Sequence, residues 1–437
     1  MPKSLVISRH FPPLGSVGSS IRLVKIIKYL TQANWNFIVL TQDPARSVTH
    51  EEELSKFMED EIPLGTQVIR IPAPFSDVVS QKNNENETDY HINKMKSLIK
   101  SLLDKVMPQS SLWWGVRVLM QGRKVIIQEN VDIIYTPSPV FMNAFIGYLI
   151  ALFFHKPLFL DLKDDWVGSA IYNNKKIIGK LVDRLFESVI IHNAEKVIIV
   201  TEHSYNTYKQ RYPKLALINK FELIPNGCDL DEYSSLRGRA HEIDRTRFRI
   251  ISAAWGYQKD YRDITPFFLG LSKFLKRFPE AWEKIEVVLL GNSLSTEYDE
   301  LLDQTGIRKI TKLVGSLHRE LMIETLWTAD LFLLVQPKNN VTAISGTIYE
   351  YWAIGHAPIL IISEQGASSE IIDRYNLGKS FCFKDHQGIV DYLQAVYYAK
   401  MNGNPLIIKR DGIENFDRKI LANRMGHLWQ VSLSKVT

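Results

Sequence analysis

The sequence predicts an α/β protein of two tandem Rossmann-like, doubly wound domains, with a cleft between them and a C-terminal helix crossing back. Three observations carry this. Short apolar runs recur through both halves of the 437 residues, separated by segments of helical periodicity. A strand, a glycine-bearing loop, a helix and a second strand fall within about 40 residues at the start, as in a βαβ unit of a parallel sheet. The composition then shifts at Arg237–Arg249 (RGRAHEIDRTRFR), after which a second such series begins.

In order, Ser4–Ser8 reads as a buried strand and Arg9–Ser20 as a loop holding Pro12, Pro13, Gly15 and Gly18. Ile21–Ala33 has helical spacing, with Lys25 and Lys28 on its polar side. Strands are expected at Phe37–Thr41, Val68–Ile71, Val131–Tyr135, Pro157–Leu162 and Lys196–Val200, the series ending at Leu223–Pro225. Ser76–Asp89 is polar and reads as a surface loop. Phe145–Phe154 is the most apolar stretch, too short for a membrane span and expected to be a buried helix. The second series places strands at Phe248–Ala253, Ile285–Leu290, Ile310–Val314, Leu331–Val335, Pro358–Ile362 and Ser380–Phe383. Helices include Ile264–Arg277 and Arg319–Ala329, and Asn415–Leu433 reads as the terminal amphipathic helix. Domain limits follow at 1–235, 236–414 and 415–437.

Composition narrows the class. Hydrophobic residues make up 45% and charged residues 23%, values of an ordinary globular protein. A net charge of +5 gives no reason to expect a nucleic-acid partner. Cys228 and Cys382 form no ligand spacing or disulfide framework, and suit a reducing, cytosolic setting. No signal peptide is read at the N-terminus. Residues 91–124 carry seven Lys/Arg against one acid, with Trp113 and Trp114 together; packed helices, or a peripheral contact with the inner, anionic face of a membrane, both fit.

The candidate chemistry sits where apolar strands end. Thr342–Ile361 (TAISGTIYEYWAIGHAPILI) combines a turn at Ser345-Gly346, a helix over Ile348–Ile354, a stop at Gly355 and a strand. Its helix start is suited to an anion, and Glu350, one turn in, suits a ligand hydroxyl better than a core. Ser345, Gly346 and Thr347 are candidate phosphate contacts. Lys259 and Arg262 in GYQKDYRD could neutralise a diphosphate leaving group. Gly291 permits close backbone approach, and Gly315–His318, Leu317 among them, offers main-chain groups to a base. In the first half, Gly15 and Gly18 precede a helix without the G-x-G-x-x-G spacing of a dinucleotide site. Asp164 and Asp165 in DLKDDW follow a strand, where they either meet an acceptor hydroxyl or cap the next element; a metal site there lacks converging ligands. Asn226, Gly227 and Asp229 in PNGCD read as a structural turn.

Several of these segments, taken in order, resemble family 4 of the retaining glycosyltransferases, enzymes of the two-domain GT-B fold. The likeness runs from Leu5 to about Trp429. It rests on Phe11-Pro12-Pro13 and the loop after it, DLKDDW, IPNGCDLDEY, LLGNS and SGTIYEYWAIGHAPIL. Many members have a glutamate eight residues before the ribose-binding one, and a lysine three before it; here these positions hold Thr342 and Thr347. The resemblance implies transfer of a sugar from a nucleotide-diphosphate sugar to a glycan or lipid-linked acceptor, in surface polysaccharide assembly. It implies that Glu350 binds the ribose and that 1–235 takes the acceptor and 236–414 the donor. It also implies that no metal or other cofactor is used and that the leaving phosphate serves as base, which suits a chain with no evident catalytic dyad; His10 is the residue placed to act as a base. Two other readings are a GT-B-fold binding protein with weakened catalysis and a nicotinamide-dependent oxidoreductase.

Overall fold

The computed structural model describes residues 1–14, 17–44, 58–72, 112–138, 141–168, 177–236, 246–253, 256–291 and 294–435. The chain divides into two compact units, Met1–Pro225 with Leu421–Thr437, and Asn226–Ile420. The first therefore ends before the expected limit at 235. The cause is the short helix Leu230–Leu236, whose Tyr233 is fully buried in an apolar cluster of the second unit.

The first unit holds a parallel sheet of seven strands in the order β3-β2-β1-β4-β5-β6-β7. These are β1 Lys3–Ile7, β2 Asn36–Gln42, β3 Gln67–Ile71, β4 Ile133–Pro137, β5 Leu158–Leu162, β6 Lys196–Ile199 and β7 Phe221–Leu223. Apolar runs such as Leu5-Val6-Ile7 are buried on both faces, as strands covered by helices on each side must be. One face carries α1 Val17–Gln32 and the C-terminal helix Arg418–Leu433. Trp429 seals it, its ring 5.1 Å from that of Trp35 and 5.2 Å from that of Tyr135. The other face carries α2 Leu112–Glu129, α3 Phe141–Phe154 and α4 Ile177–Asn193. The helices α5 Glu202–Arg211 and α6 Pro213–Leu217 follow.

Three details differ from the sequence reading. Helix α1 starts at Val17, so Gly18 lies in its first turn and not in a loop; Gly15 lies outside the described residues. The tryptophan pair splits, with Trp114 fully buried and Trp113 71% exposed. Phe141–Phe154 is a helix, yet Leu152 and Phe153 at its end are exposed. Of the basic stretch 91–124, only the part from 112 is described, as is none of 76–89.

The second unit holds a parallel sheet of six strands, β10-β9-β8-β11-β12-β13. They are β8 Phe248–Ala253, β9 Ile285–Leu290, β10 Thr311–Val314, β11 Leu331–Val335, β12 Ile359–Ile362 and β13 Gly378–Phe381. The helices are α7 Leu230–Leu236, α8 Thr265–Arg277, α9 Asp299–Thr305, α10 Arg319–Leu326, α11 Gly346–Ile354, α12 Ala367–Arg374 and α13 His386–Met401, with α14 Arg418–Leu433 the helix already placed on the first sheet. In each sheet the strand order reverses beside the first strand of the series, between β1 and β4 and between β8 and β11. Ligands of open α/β sheets bind outside the carboxyl ends of the strands at that reversal.

Candidate functional site

Residues of the second unit converge at its point of reversal. The loop after β11 leads into α11, whose N-cap Ser345 has extended backbone angles and makes no side-chain capping bond. The first N–H groups of α11 are thus left without a side-chain cap, facing outward with the positive end of the helix dipole. A Cβ placed on Gly346 would meet nothing within 4 Å, so the space beside this turn is open. Ser345, Gly346, Thr347 and Glu350 are half-exposed while Ile348 and Tyr349 are buried, the pattern of a helix that packs by one side only.

The buried side fixes the helix on the sheet. Tyr351 stacks on Phe332 at 4.2 Å, accepts a hydrogen bond from Ala253 N at 2.7 Å and donates to Leu333 O at 3.3 Å. Trp352 donates to Lys409 O at 3.0 Å. Gly355 ends the helix with φ at 74°, its N–H donating to Tyr351 O at 3.0 Å. A side chain there would meet both an unfavourable backbone and the Arg410 stem, hence glycine.

The loop after β8 closes on the same edge. Lys338 of the β11 loop donates its backbone N–H to Tyr261 O at 2.8 Å, and its Nζ to Lys259 O at 2.7 Å and Asp263 Oδ2 at 3.0 Å. Lys259 is exposed, and Arg262 is half-buried with its guanidinium 5.7 Å from the Tyr261 ring. The Arg262 Nε is buried and makes no hydrogen bond to the described residues. Gly291 and Gly315, at the ends of β9 and β10, are joined by an N–H···O bond of 2.7 Å, both with positive φ. Leu317 follows, half-buried against the apolar cluster under α11. The donor-side candidates Lys259, Arg262, Gly291, Leu317, Ser345, Gly346, Thr347 and Glu350 therefore all lie along the carboxyl edge of one sheet and the turns above it.

Glu350 has a partner that sequence reading missed. Its Oε1 accepts from Arg319 Nη1 at 2.7 Å, and Arg319 also donates to Glu232 Oε2 at 2.9 Å and to Tyr233 OH at 2.9 Å. Burial alone would push the Arg319 guanidinium down; Glu350, Tyr233 and Glu232 outweigh it and hold the cation well above its ordinary value. The arginine thus fixes one carboxylate oxygen of Glu350. Arg319 lies beyond the end of β10, and nothing local pairs it with a glutamate 31 residues on.

In the first unit, the DLKDDW acids have separate roles. Asp161 is fully buried and accepts from Arg22 Nε at 2.8 Å, Arg22 Nη2 at 3.2 Å and Tyr135 OH at 2.5 Å. Asp165 is buried in a two-pronged pair with Arg211, both bonds 2.8 Å. Its carboxylate is held by this pair within the first unit. Asp164 stays half-exposed, and burial pushes its carboxyl up against the opposing charge of Lys163. Lys163 N donates to Ser138 Oγ at 3.1 Å, which ties this loop to the one after β4.

His10 lies in the loop after β1. Burial, reinforced by Arg9 and Lys163, lowers its imidazole to about 4. It is neutral at pH 7 and a weak base there. In the unfolded chain it charges near 6.5, so the fold loses stability as pH falls from 6.5 toward 4. We expect His10→Gln to abolish up to about 3 kcal/mol of that acid sensitivity, read from urea midpoints at pH 7 and pH 4.5. Parallel pH profiles of the two proteins would show that His10 is not buried as described.

No family model and no curated protein sequence matches the chain. Solved structures do match over almost its whole length. Sucrose-phosphate synthase from Thermosynechococcus elongatus is 14% identical with a TM-score of 0.65, the alignment covering 100% of both chains. HepE of Anabaena, solved in complex with UDP and glucose, is 13% identical with a TM-score of 0.62, covering 99% of this chain and 100% of that one. A UDP-GlcNAc 2-epimerase from Methanocaldococcus jannaschii is 12% identical with a TM-score of 0.56, covering 98% and 100%. Such likeness establishes the fold, a two-domain α/β architecture of GT-B type.

Proposed function

We propose that the protein is a glycosyltransferase that moves a sugar from a nucleotide-diphosphate sugar to a glycan or lipid-linked acceptor. The observation that carries this reading is the edge built at the reversal of the second sheet. An uncapped helix start at Ser345–Thr347, the cations Lys259 and Arg262 and a glutamate held by Arg319 meet there. Each suits one part of such a donor: N–H groups and cations the diphosphate, Glu350 the ribose hydroxyls, and the turns at Gly291 and Leu317 the base. Developing charge on the leaving diphosphate would be stabilised by groups already in place. Departure of the diphosphate and attack of the acceptor hydroxyl on the same face, with the leaving phosphate taking the proton, gives retention without an enzyme nucleophile. Solved neighbours bound to UDP and glucose, and to UDP-glucose, support this assignment of the site. The acceptor is assigned to the first unit, near His10, Gly15, Gly18 and Asp164, and the setting to surface polysaccharide assembly.

A second reading has a specific basis. Thr342 and Thr347 replace the glutamate and lysine common in the resembling family, which favours a protein that binds the nucleotide without turnover. Incubating the full chain with a panel of nucleotide sugars and following release of nucleoside diphosphate separates the two. Release from at least one donor supports transfer. Binding without release across the panel supports the second reading, and conversion of UDP-GlcNAc to an epimer without sugar transfer would contradict both.

A further inference from the structure

We infer that Arg319 is a positioning residue for Glu350, held in that role by α7, and that it sets how strongly the site prefers a ribonucleotide. The inference rests on the reading of Glu350 as the ribose contact. Arg319 is the first residue of α10. A cation in the first turn of a helix meets the positive end of the dipole, so the position is unfavourable for the helix itself. The side chain is also only 9% exposed, and arginine is seldom buried unless it is paired. A residue that breaks two local rules is kept there by something outside its own helix.

Helix α7 supplies the hold. Arg319 Nη2 donates to Glu232 Oε2 at 2.9 Å and to Tyr233 OH at 2.9 Å, and Nε donates to Glu232 Oε2 at 3.1 Å. The guanidinium carbon lies 5.6 Å from the centre of the Tyr233 ring. Three bonds thus fix the fork on α7, while Nη1 donates to Glu350 Oε1 on α11 at 2.7 Å. The chain entering α7 is itself tied down: Cys228 N donates to Phe416 O at 3.0 Å, and Arg418 N donates to Cys228 O at 2.9 Å. The Phe416 ring packs 5.1 Å from that of Tyr349, the neighbour of Glu350. The segment IPNGCDLDEY, whose PNGCD reads in the sequence as a structural turn, therefore places the groups that aim Arg319. A carboxylate bonded to a guanidinium fixed in this way has given up its rotamer freedom before a ligand arrives, so binding does not have to supply that ordering. A pair that only fastened α7, α10 and α11 together would not affect which sugar the site prefers.

The test is titration calorimetry of the full chain with whichever of UDP, GDP and ADP binds best, and with the 2′,3′-dideoxy form of that nucleotide. The parent protein should prefer the ribonucleotide by roughly 10- to 100-fold, and Glu350→Ala should abolish the preference. Arg319→Gln should lower the preference at least about fivefold, with affinity for the dideoxy form nearly unchanged. Because that variant leaves two carboxylates without their cation, Arg319→Lys is measured beside it. It keeps the charge but not the fork, and should lower the preference roughly threefold at an unchanged melting temperature. Where Arg319→Gln does not fold, Arg319→Lys decides. A preference lost in Glu350→Ala but kept in the folded Arg319 variants overturns the inference and leaves the ribose contact standing. Equal loss of affinity for both nucleotides does the same and assigns Arg319 to the scaffold alone. A parent protein without the preference, or without binding to any of the three, removes the ribose contact and the inference with it.

Discussion

Glu350→Ala is expected to weaken binding of the nucleotide by roughly 10- to 100-fold while the fold persists. The magnitude is that of one or two hydrogen bonds from ribose hydroxyls to a carboxylate. Persistence of the fold follows from the arrangement around Arg319, which keeps Glu232 at 2.9 Å and Tyr233 at 2.9 Å when Glu350 is removed. The guanidinium is therefore not stranded, and the melting temperature should stay close to that of the parent protein. Isothermal titration with UDP, GDP and ADP, alongside thermal melts, reads both quantities. Affinity unchanged in the variant for the nucleotide that binds best would remove Glu350 from the site.

Asp161→Ala should behave in the opposite way, with a large loss of stability. Arg22 is buried, and Asp161 is its charge partner at 2.8 Å. The same guanidinium donates to Ile224 O at 3.0 Å and to Pro225 O, so it fastens the end of the first unit to α1. Removing the carboxylate takes a charge partner from a buried cation, a change that costs about 3–5 kcal/mol. Urea denaturation monitored by circular dichroism gives the value. A change below about 1 kcal/mol would show that Asp161 contributes little to the fold.

Those two variants show what can be read from a sequence and what cannot. Strand positions were legible because a strand covered on both faces is a continuous apolar run, as Leu331–Val335 is. That the sheets are parallel followed from βαβ connectivity, and so the carboxyl edge that would hold a ligand was legible too. Ends of elements were less so. The start of helix α1 at Val17 is not legible, because Gly18, Ser19 and Ser20 carry no apolar spacing to reveal its first turn. Trp113 and Trp114 look equivalent in sequence, yet neighbours on a helix point about 100° apart, and only one can face the core. Least legible were the pairings of single charged residues. Asp165 with Arg211 and Glu350 with Arg319 are 46 and 31 residues apart, and no local pattern announces either. These pairings decide which acids of a motif are scaffold and which are left for a ligand.

The proposed site at the edge above β8 and β11 would hold a nucleoside diphosphate. Hydrogen exchange of the full chain, measured with and without saturating UDP, GDP or ADP, tests it most directly. At least one nucleotide should slow exchange in peptides covering Ser345–Tyr351 and Gln258–Ile264, with little change in peptides from the first sheet. Protection confined to the first unit, or none with any of the three, would contradict it.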